Sequence, residues 1–191
     1  MKLLILAGSN RPAGTGARVS KWVDSVARQD NRFEDIDLVS VSDLNLPIFN
    51  EEFSPKYRHY TGNEYTNPAG KAWAERVAAA DAFIVISPEY NHSVPGGLKN
   101  ALDWVGTEWA GKPVGLIGYS ITPFGGVRAI EHLRQIAPEL GLRPATNHVL
   151  ISDVENTISK AGEPAAQGLG TALATMLDEV VHTGASGPAT A

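Results

Sequence analysis

The stretch AFIVISPEYNHSVPGGLKNALDWV, residues 82–105, decides how the rest of the chain is read. Its opening, Ala82 to Ile86, is apolar at every position, the mark of a strand buried on both faces as in a parallel sheet. Its end, Gly96 to Val105, sets Leu98, Ala101, Leu102 and Val105 on one helical stripe, with Lys99, Asn100 and Asp103 elsewhere. Between the two lie nine residues with two prolines, whereas a plain strand-to-helix connector takes about 2–6. The surplus asks for a purpose beyond connection.

Working outward, the same strand, loop and helix unit recurs. Lys2 to Ala7 is a second all-apolar run, bounded by Gly8 and expected at the centre of the sheet. After the polar stretch Ser9 to Gly16, Val19, Trp22, Val23, Val26 and Ala27 return at helical spacing. Phe33 to Val41 alternates acidic residues with Ile36 and Leu38, as an edge strand does. Ser42 to Asn67 reads as one long irregular stretch, and a helix from Ala69 to Ala80 leads back to the opening strand.

Downstream, Pro113 to Tyr119 predicts a fourth strand and His148 to Ile151 a fifth. Val127, Ile130, Leu133, Ala137 and Leu140 mark one helix, and Leu169, Leu173, Met176, Leu177 and Val180 the last. Five strands alternating with five helices predict an α/β fold, a doubly wound five-stranded parallel sheet with helices on both faces. One domain is expected over residues 1–182, with Thr183 to Ala191, small and polar, as a disordered tail. Ligands of such sheets bind outside the carboxyl ends of the strands.

Composition narrows the chemistry. A net charge of -5 leaves no basic field for nucleic acid or an anionic membrane surface. The absence of cysteine removes thiol nucleophiles, disulfides and cysteine-ligated metals, and the five histidines (His59, His92, His132, His148 and His182) lack metal-ligand spacing. No metal is therefore expected. The apolar start MKLLILAG is too short for a signal-peptide core or a membrane span, so a soluble cytoplasmic protein is expected.

Three loops are expected on one edge of the sheet. GSNRPAGTGA follows the first strand and offers what a phosphate monoester needs: hydroxyls at Ser9 and Thr15, free N–H groups where a helix begins, and the planar donor fork of Arg11. It carries neither the GK[ST] ending of a nucleoside-triphosphate loop nor the GxGxxG of a dinucleotide turn. In the second loop, Pro88 and Pro95 restrict the backbone into a rim for a planar ligand, Tyr90 offers a flat face and Asn91 both a donor and an acceptor. The third, GYSITPFGG, again joins glycines to hydroxyls between Gly118 and Gly126.

GSNRP with the following GA, AADAFIVISPEYNHSVPGGLKNALDW and GGVRAIEHLRQI together resemble the NADPH-dependent FMN reductase family of flavodoxin-like fold, which includes quinone, azo-dye and chromate reductases. The resemblance implies that FMN and NADPH are the cofactors. Carried over by position, Ser9, Arg11, Thr15, Gly16 and Ala17 cradle the FMN phosphate, Pro88, Glu89, Tyr90 and Asn91 face the flavin, and Ser120 with Gly125 borders it. Many relatives have a Ser-x-Asn pair late in the first loop where this chain has Thr15 to Arg18, so backbone amides are expected to carry more of the phosphate.

The implied activity is hydride transfer from NADPH to FMN and then, by a ping-pong mechanism, to a small acceptor: a quinone, azo compound, metal oxyanion or free flavin. Hydride chemistry belongs to the flavin, so no catalytic acid, base or nucleophile is expected. The alternatives are a flavodoxin-type electron carrier and a non-catalytic flavin-binding module. The resemblance also implies a homodimer or homotetramer, with Trp104 and Trp109 either at the subunit contact or packed within the chain. Ser42 to Asn67, with its five aromatics, is either a loop packed by its own side chains or a lid over the acceptor. Arg18, Lys56 and Arg58 are candidate cations for the 2′-phosphate of NADPH.

Overall fold

The computed structural model describes residues 1–11, 14–165 and 168–185. In chain order it contains β1 (Lys2–Ala7), α1 (Thr15–Ala27), β2 (Asp35–Ser40), α2 (Pro55–Thr61), α3 (Pro68–Ala79), β3 (Ala82–Pro88) and α4 (Gly96–Asp103). A 3-10 turn at Thr107–Trp109 leads to β4 (Pro113–Tyr119), α5 (Val127–Glu139), β5 (Arg143–Pro144), β6 (Val149–Ile151), α6 (Val154–Thr157) and α7 (Leu169–Ala185). All strand pairs are parallel, in the order β2-β1-β3-β4-β5, with β6 also on β4.

β5 pairs with the start of β4 (Pro113 with Arg143) and β6 with its end (Ile117 with Val149), so the two are pieces of one fifth strand. The sequence pattern shows only the second piece. The strand order reverses beside β1, which pairs with β2 on one side and β3 on the other. At such a switch point the loops after the two central strands diverge and leave a crevice.

Each central strand feeds both faces. Leu4, Leu6, Phe83 and Val85 pack with Trp73, Val77, Leu98, Leu102 and Leu133, under α3, α4 and α5. Leu3, Ile5, Ile84 and Ile86 point the other way, to Val19, Val23, Leu173, Met176 and Val180 of α1 and α7. This two-sided burial explains the unbroken apolar runs, and each such side chain contributes roughly 1.5–3 kcal/mol by leaving water.

Two expectations change and one open alternative is decided. Ser42 to Asn67 is not wholly irregular: Ser54 caps α2 by accepting from the Tyr57 amide, Pro55 opens it and Gly62, at φ 71°, closes it. Thr183–Ala185 belong to the last turns of α7 rather than to a tail, and residues 186–191 lie outside the described residues. Trp104 and Trp109 are fully buried within the chain, against Phe49 and Tyr65 and against Trp73 and Phe83 respectively, so neither presents itself to a partner.

The long stretch is held down by side chains. Glu51, 2% exposed, accepts from the amides of Thr66 and Asn67 and the Thr66 hydroxyl, and pairs with Arg58 at 3.3 Å. Arg58, 6% exposed, also donates to the carbonyls of Phe53 and Glu64 and lies over the Tyr65 ring. Asn100 and Trp104 of the α4 region both donate to the Pro47 carbonyl at 2.8 Å.

Candidate functional site

The loops after β1, β3 and β4 meet at the carboxyl edge of the sheet around a cavity of about 230 Å³. Ser9, Arg11, Thr15, Gly16, Pro88, Glu89, Tyr90 and Ser120 all line it, so the structure brings together most of the residues singled out from the sequence. Ala17 faces a neighbouring groove instead. Asn91 sits at the exposed tip of the rim, and Gly125 (φ 61°) is buried against Leu150 and Ile151, where it turns the chain into α5.

The floor is a cradle for an anion. No side chain among the described residues caps α1, and while the Ala17 amide donates to the Gly14 carbonyl at 3.1 Å, the Thr15 and Gly16 amides ahead of it can bind a negative group with the helix dipole behind them. The Ser9 hydroxyl accepts from the Arg11 amide at 3.2 Å, which folds the loop back on itself and leaves the Arg11 side chain at the cavity wall. Among the described residues the Arg11 guanidinium has no carboxylate partner. A Cβ on Gly16 would lie 2.4 Å from the Tyr119 hydroxyl, so the cradle's narrowest point admits only glycine.

Tyr119, the last residue of β4, is a lining residue that sequence reasoning missed. Burial pushes its phenol up to about 12, with a hydrogen bond to Ser9 working against the rise. It therefore stays a proton-bearing donor at neutral pH. The Tyr90 hydroxyl lies 3.4 Å from the same Ser9 oxygen, so one serine joins the first, second and third loops. Its place at the end of a buried strand, next to the GYS turn, was the available signal. Gly14, Ile121, Thr122 and Val154 also line the cavity; Val154, arriving from α6, carried no sequence signal.

The rim is shaped by its turn. Tyr90 and Ser93 exchange backbone hydrogen bonds at 2.9 and 3.0 Å, and the residues between them, Asn91 (φ 49°) and His92 (φ 65°), both take left-handed conformations. That is the two-residue hairpin turn with positive φ at both central positions, which ordinarily carries glycine. Glu89 lines the cavity, yet its carboxylate is committed elsewhere: it accepts from the Arg128 amide at 3.1 Å and pairs with the Arg128 guanidinium at 2.9 Å. Arg128 in turn lies over the Phe124 ring. The rim is thus tied to α5 at two points, by Glu89 at the helix start and by the Ser93 hydroxyl, 2.8 Å from His132 Nδ1.

Two of the candidate 2′-phosphate cations already have carboxylate partners. Lys56 pairs with Glu139 at 2.6 Å and Arg58 is buried with Glu51. Among the described residues no group of acidic or histidine side chains could hold a metal ion.

A crevice at the switch point of a 2-1-3-4-5 sheet, with an anion cradle below a shaped rim, defines a flavodoxin-like α/β protein. Residues 1–156 match the model of the NADPH-dependent FMN reductase family, and the chain belongs to that family. It is 33% identical to an NAD(P)H-dependent FMN reductase of a Nectria species over 135 residues, 70% of this chain and 66% of that one. It is 35% identical to the quinone reductase of Escherichia coli K12 over 141 residues, 71% of this chain and 69% of that one. The alignments thus span about two thirds of the length of these curated relatives.

Among solved structures, FerB, a flavoenzyme NAD(P)H:(acceptor) oxidoreductase from Paracoccus denitrificans, is similar in fold. It superposes with a TM-score of 0.77 over 97% of this chain and 98% of that one, at 22% identity. Membership makes the protein an oxidoreductase that uses FMN and a nicotinamide coenzyme, NAD(P)H.

Proposed function

We propose that the protein binds FMN in this cavity and passes hydride from NADPH to a small oxidant, a quinone being the favoured class. The observation that carries this reading is the Arg11 guanidinium, free of any carboxylate partner, beside the uncapped start of α1 and the hydroxyls of Ser9 and Thr15. That donor set suits a phosphate dianion and little else of its size. The enclosed space would hold the phosphate and ribityl chain, and Pro88, Glu89, Tyr90 and Ser120 would supply the walls for the ring.

When bound, FMN supplies the hydride-carrying chemistry. The protein's own residues hold and orient it: Arg11 and the α1 amides fix the phosphate, Tyr90 presents its flat face, and Glu89 keeps the rim at its distance from α5. A single slot leaves NADPH and oxidant to take turns, so a ping-pong pattern is expected, with parallel double-reciprocal lines. The same reading takes the enzyme as a cytoplasmic homodimer or homotetramer, and the exposed Ile48, with Tyr57 of α2, supplies apolar surface for such a contact.

Comparing FMN with riboflavin tests the cradle directly. Riboflavin lacks the phosphate, and a hydrogen bond to a charged group contributes about 1.5–3 kcal/mol, so Arg11→Ala should weaken FMN binding roughly ten- to a hundredfold. Riboflavin should be indifferent to the change. Equal midpoints for FMN and riboflavin in the wild-type protein would overturn the reading.

A further inference from the structure

On the far side of the first loop lies a second groove, of about 410 Å³, between α1 and β2. It exists because α1, which reaches across β1, β3 and β2, still leaves the edge strand partly bare: Leu38 of β2 is 38% exposed. Ser9, Arg11 and Gly16 line both cavities, so the phosphate cradle is their common wall. The groove is larger than the cavity it adjoins and none of the chemistry described so far uses it.

Its walls have a particular composition. Ala7, Ala17 and Leu38 give an apolar floor, and Ser40 and Ser42, whose hydroxyls lie 2.8 Å apart, give a polar end next to Asp43. Asp24 uses one carboxylate oxygen on Arg28 at 2.9 Å, while the other, Oδ1, is buried and without a hydrogen-bond partner among the described residues. A buried acceptor left unpaired costs free energy and calls for a donor. Two cations face the same space: Arg11, and Lys21, which has no ion-pair partner among the described residues.

From the Asp24 carboxylate on α1, past Lys21 one turn earlier on the same helix, to Arg11 at the shared wall, the groove offers an acceptor followed by two cations, which matches a ligand with sugar hydroxyls at one end and phosphates toward the first cavity. A carboxylate on the ribose hydroxyls is a recurring solution in parallel-sheet nucleotide sites. We propose that this groove takes the adenosine ribose and diphosphate of the nicotinamide coenzyme. Asp24 accepts from the ribose, Lys21 and Arg11 hold the diphosphate, and the shared wall lets the coenzyme's other end reach the first cavity. The proposal rests on the reductase reading above and extends it to the half of the coenzyme that does no chemistry.

The test uses ADP-ribose and 2′-phospho-ADP-ribose, the coenzyme fragments without nicotinamide, titrated calorimetrically into the FMN-loaded protein. Binding is expected with at least one fragment. Lys21→Ala should weaken it about tenfold and Lys21→Arg restore it, while Asp24→Asn weakens it severalfold. FMN affinity, followed separately, should not move in the Lys21 variants. The tighter fragment identifies the coenzyme, and either order supports the groove. No saturable heat with either fragment, or equal affinities in wild type and Lys21→Ala, overturns it. Failure of the reductase reading looks different: NADPH would then leave the flavin absorbance of the wild-type protein unchanged under anaerobic conditions.

Discussion

Two long connections leave strands of this sheet, and they keep their shape by opposite means. The rim from Glu89 to Pro95 is held by backbone: a pair of hydrogen bonds across a tight turn, left-handed residues at its tip and a proline at its end. The stretch from Ser42 to Asn67 is held by a buried charge, Glu51, around which Arg58, Thr66 and Asn67 are gathered. The rim lines the cavity, whereas of the long stretch only Ser42 and Asp43 reach a groove wall. A segment that must present its own amides to a ligand gains from backbone rigidity, because nothing then has to be ordered on binding. A segment that only covers the core can hang on one ion pair.

The sharpest way to break that contrast is Glu51→Ala. It leaves the nearly inaccessible Arg58 guanidinium without its counter-charge and strips acceptors from Thr66 and Asn67. Losing one partner of a buried pair costs about 3–5 kcal/mol, to be read from urea unfolding. A loss below about 1 kcal/mol would show that the stretch is held by its aromatics instead. The same carboxylate predicts acid sensitivity. Burial pushes the Glu51 pKa up, but hydrogen bonds from Asn67, Thr66 and Arg58 outweigh it and hold the group below its ordinary value. With the folded pKa depressed, its stabilisation is present above the ordinary glutamate value of about 4.3 and drains away as pH falls below it. The wild-type protein should therefore lose stability below about pH 4 more steeply than a Glu51→Gln variant.

Glu89 is where the contrast softens, since here the rim too relies on a carboxylate. Glu89→Ala removes both contacts to Arg128, one of them to an amide at the start of α5. With the Arg128 side chain 35% exposed, water can replace part of what is lost, and a cost of about 1–2 kcal/mol is expected. FMN affinity should fall severalfold, because the rim's spacing from the third loop is no longer fixed. Unchanged FMN affinity with lowered stability would show the turn and the Ser93–His132 contact sufficient to shape the rim.

The legibility of the two regions also differs. The apolar runs of β1, β3 and β4 identify their strands because two-sided burial leaves no room for a polar residue. The loops at their ends, and Arg11 and Ser9 within them, followed from the fold class and the phosphate chemistry. α2 had a legible frame, Ser54 and Pro55 at one end and Gly62 at the other, hidden inside a composition that reads as loop. The commitment of Glu89 to Arg128 spans 39 residues, and no local pattern announces a contact of that range. Nor did the letters reveal the turn. The prolines Pro88 and Pro95 stand out as shape-setters, yet the left-handed pair is Asn91 and His92, where Asn-Gly is the usual signal.

That unusual pair supplies the smallest and most discriminating prediction. His92 holds φ at 65°, a region that costs a residue with a Cβ roughly 1–2 kcal/mol. Its exposed side chain returns no hydrogen bond among the described residues. Glycine at this position removes the strain but adds about 0.5–1 kcal/mol of chain entropy to the unfolded state. The balance favours His92→Gly by about 0.5 kcal/mol, and Asn91→Gly by less, since asparagine already tolerates this conformation. His92→Val should move the other way by about 1–2 kcal/mol, a branched side chain being least at home there. FMN affinity should stay within about twofold for the glycine variant, because both Tyr90–Ser93 hydrogen bonds survive it. Chemical unfolding of the three variants decides the matter. If glycine destabilises the protein, or if His92→Gly releases FMN, the imidazole itself contributes to the site and the backbone account of the rim fails.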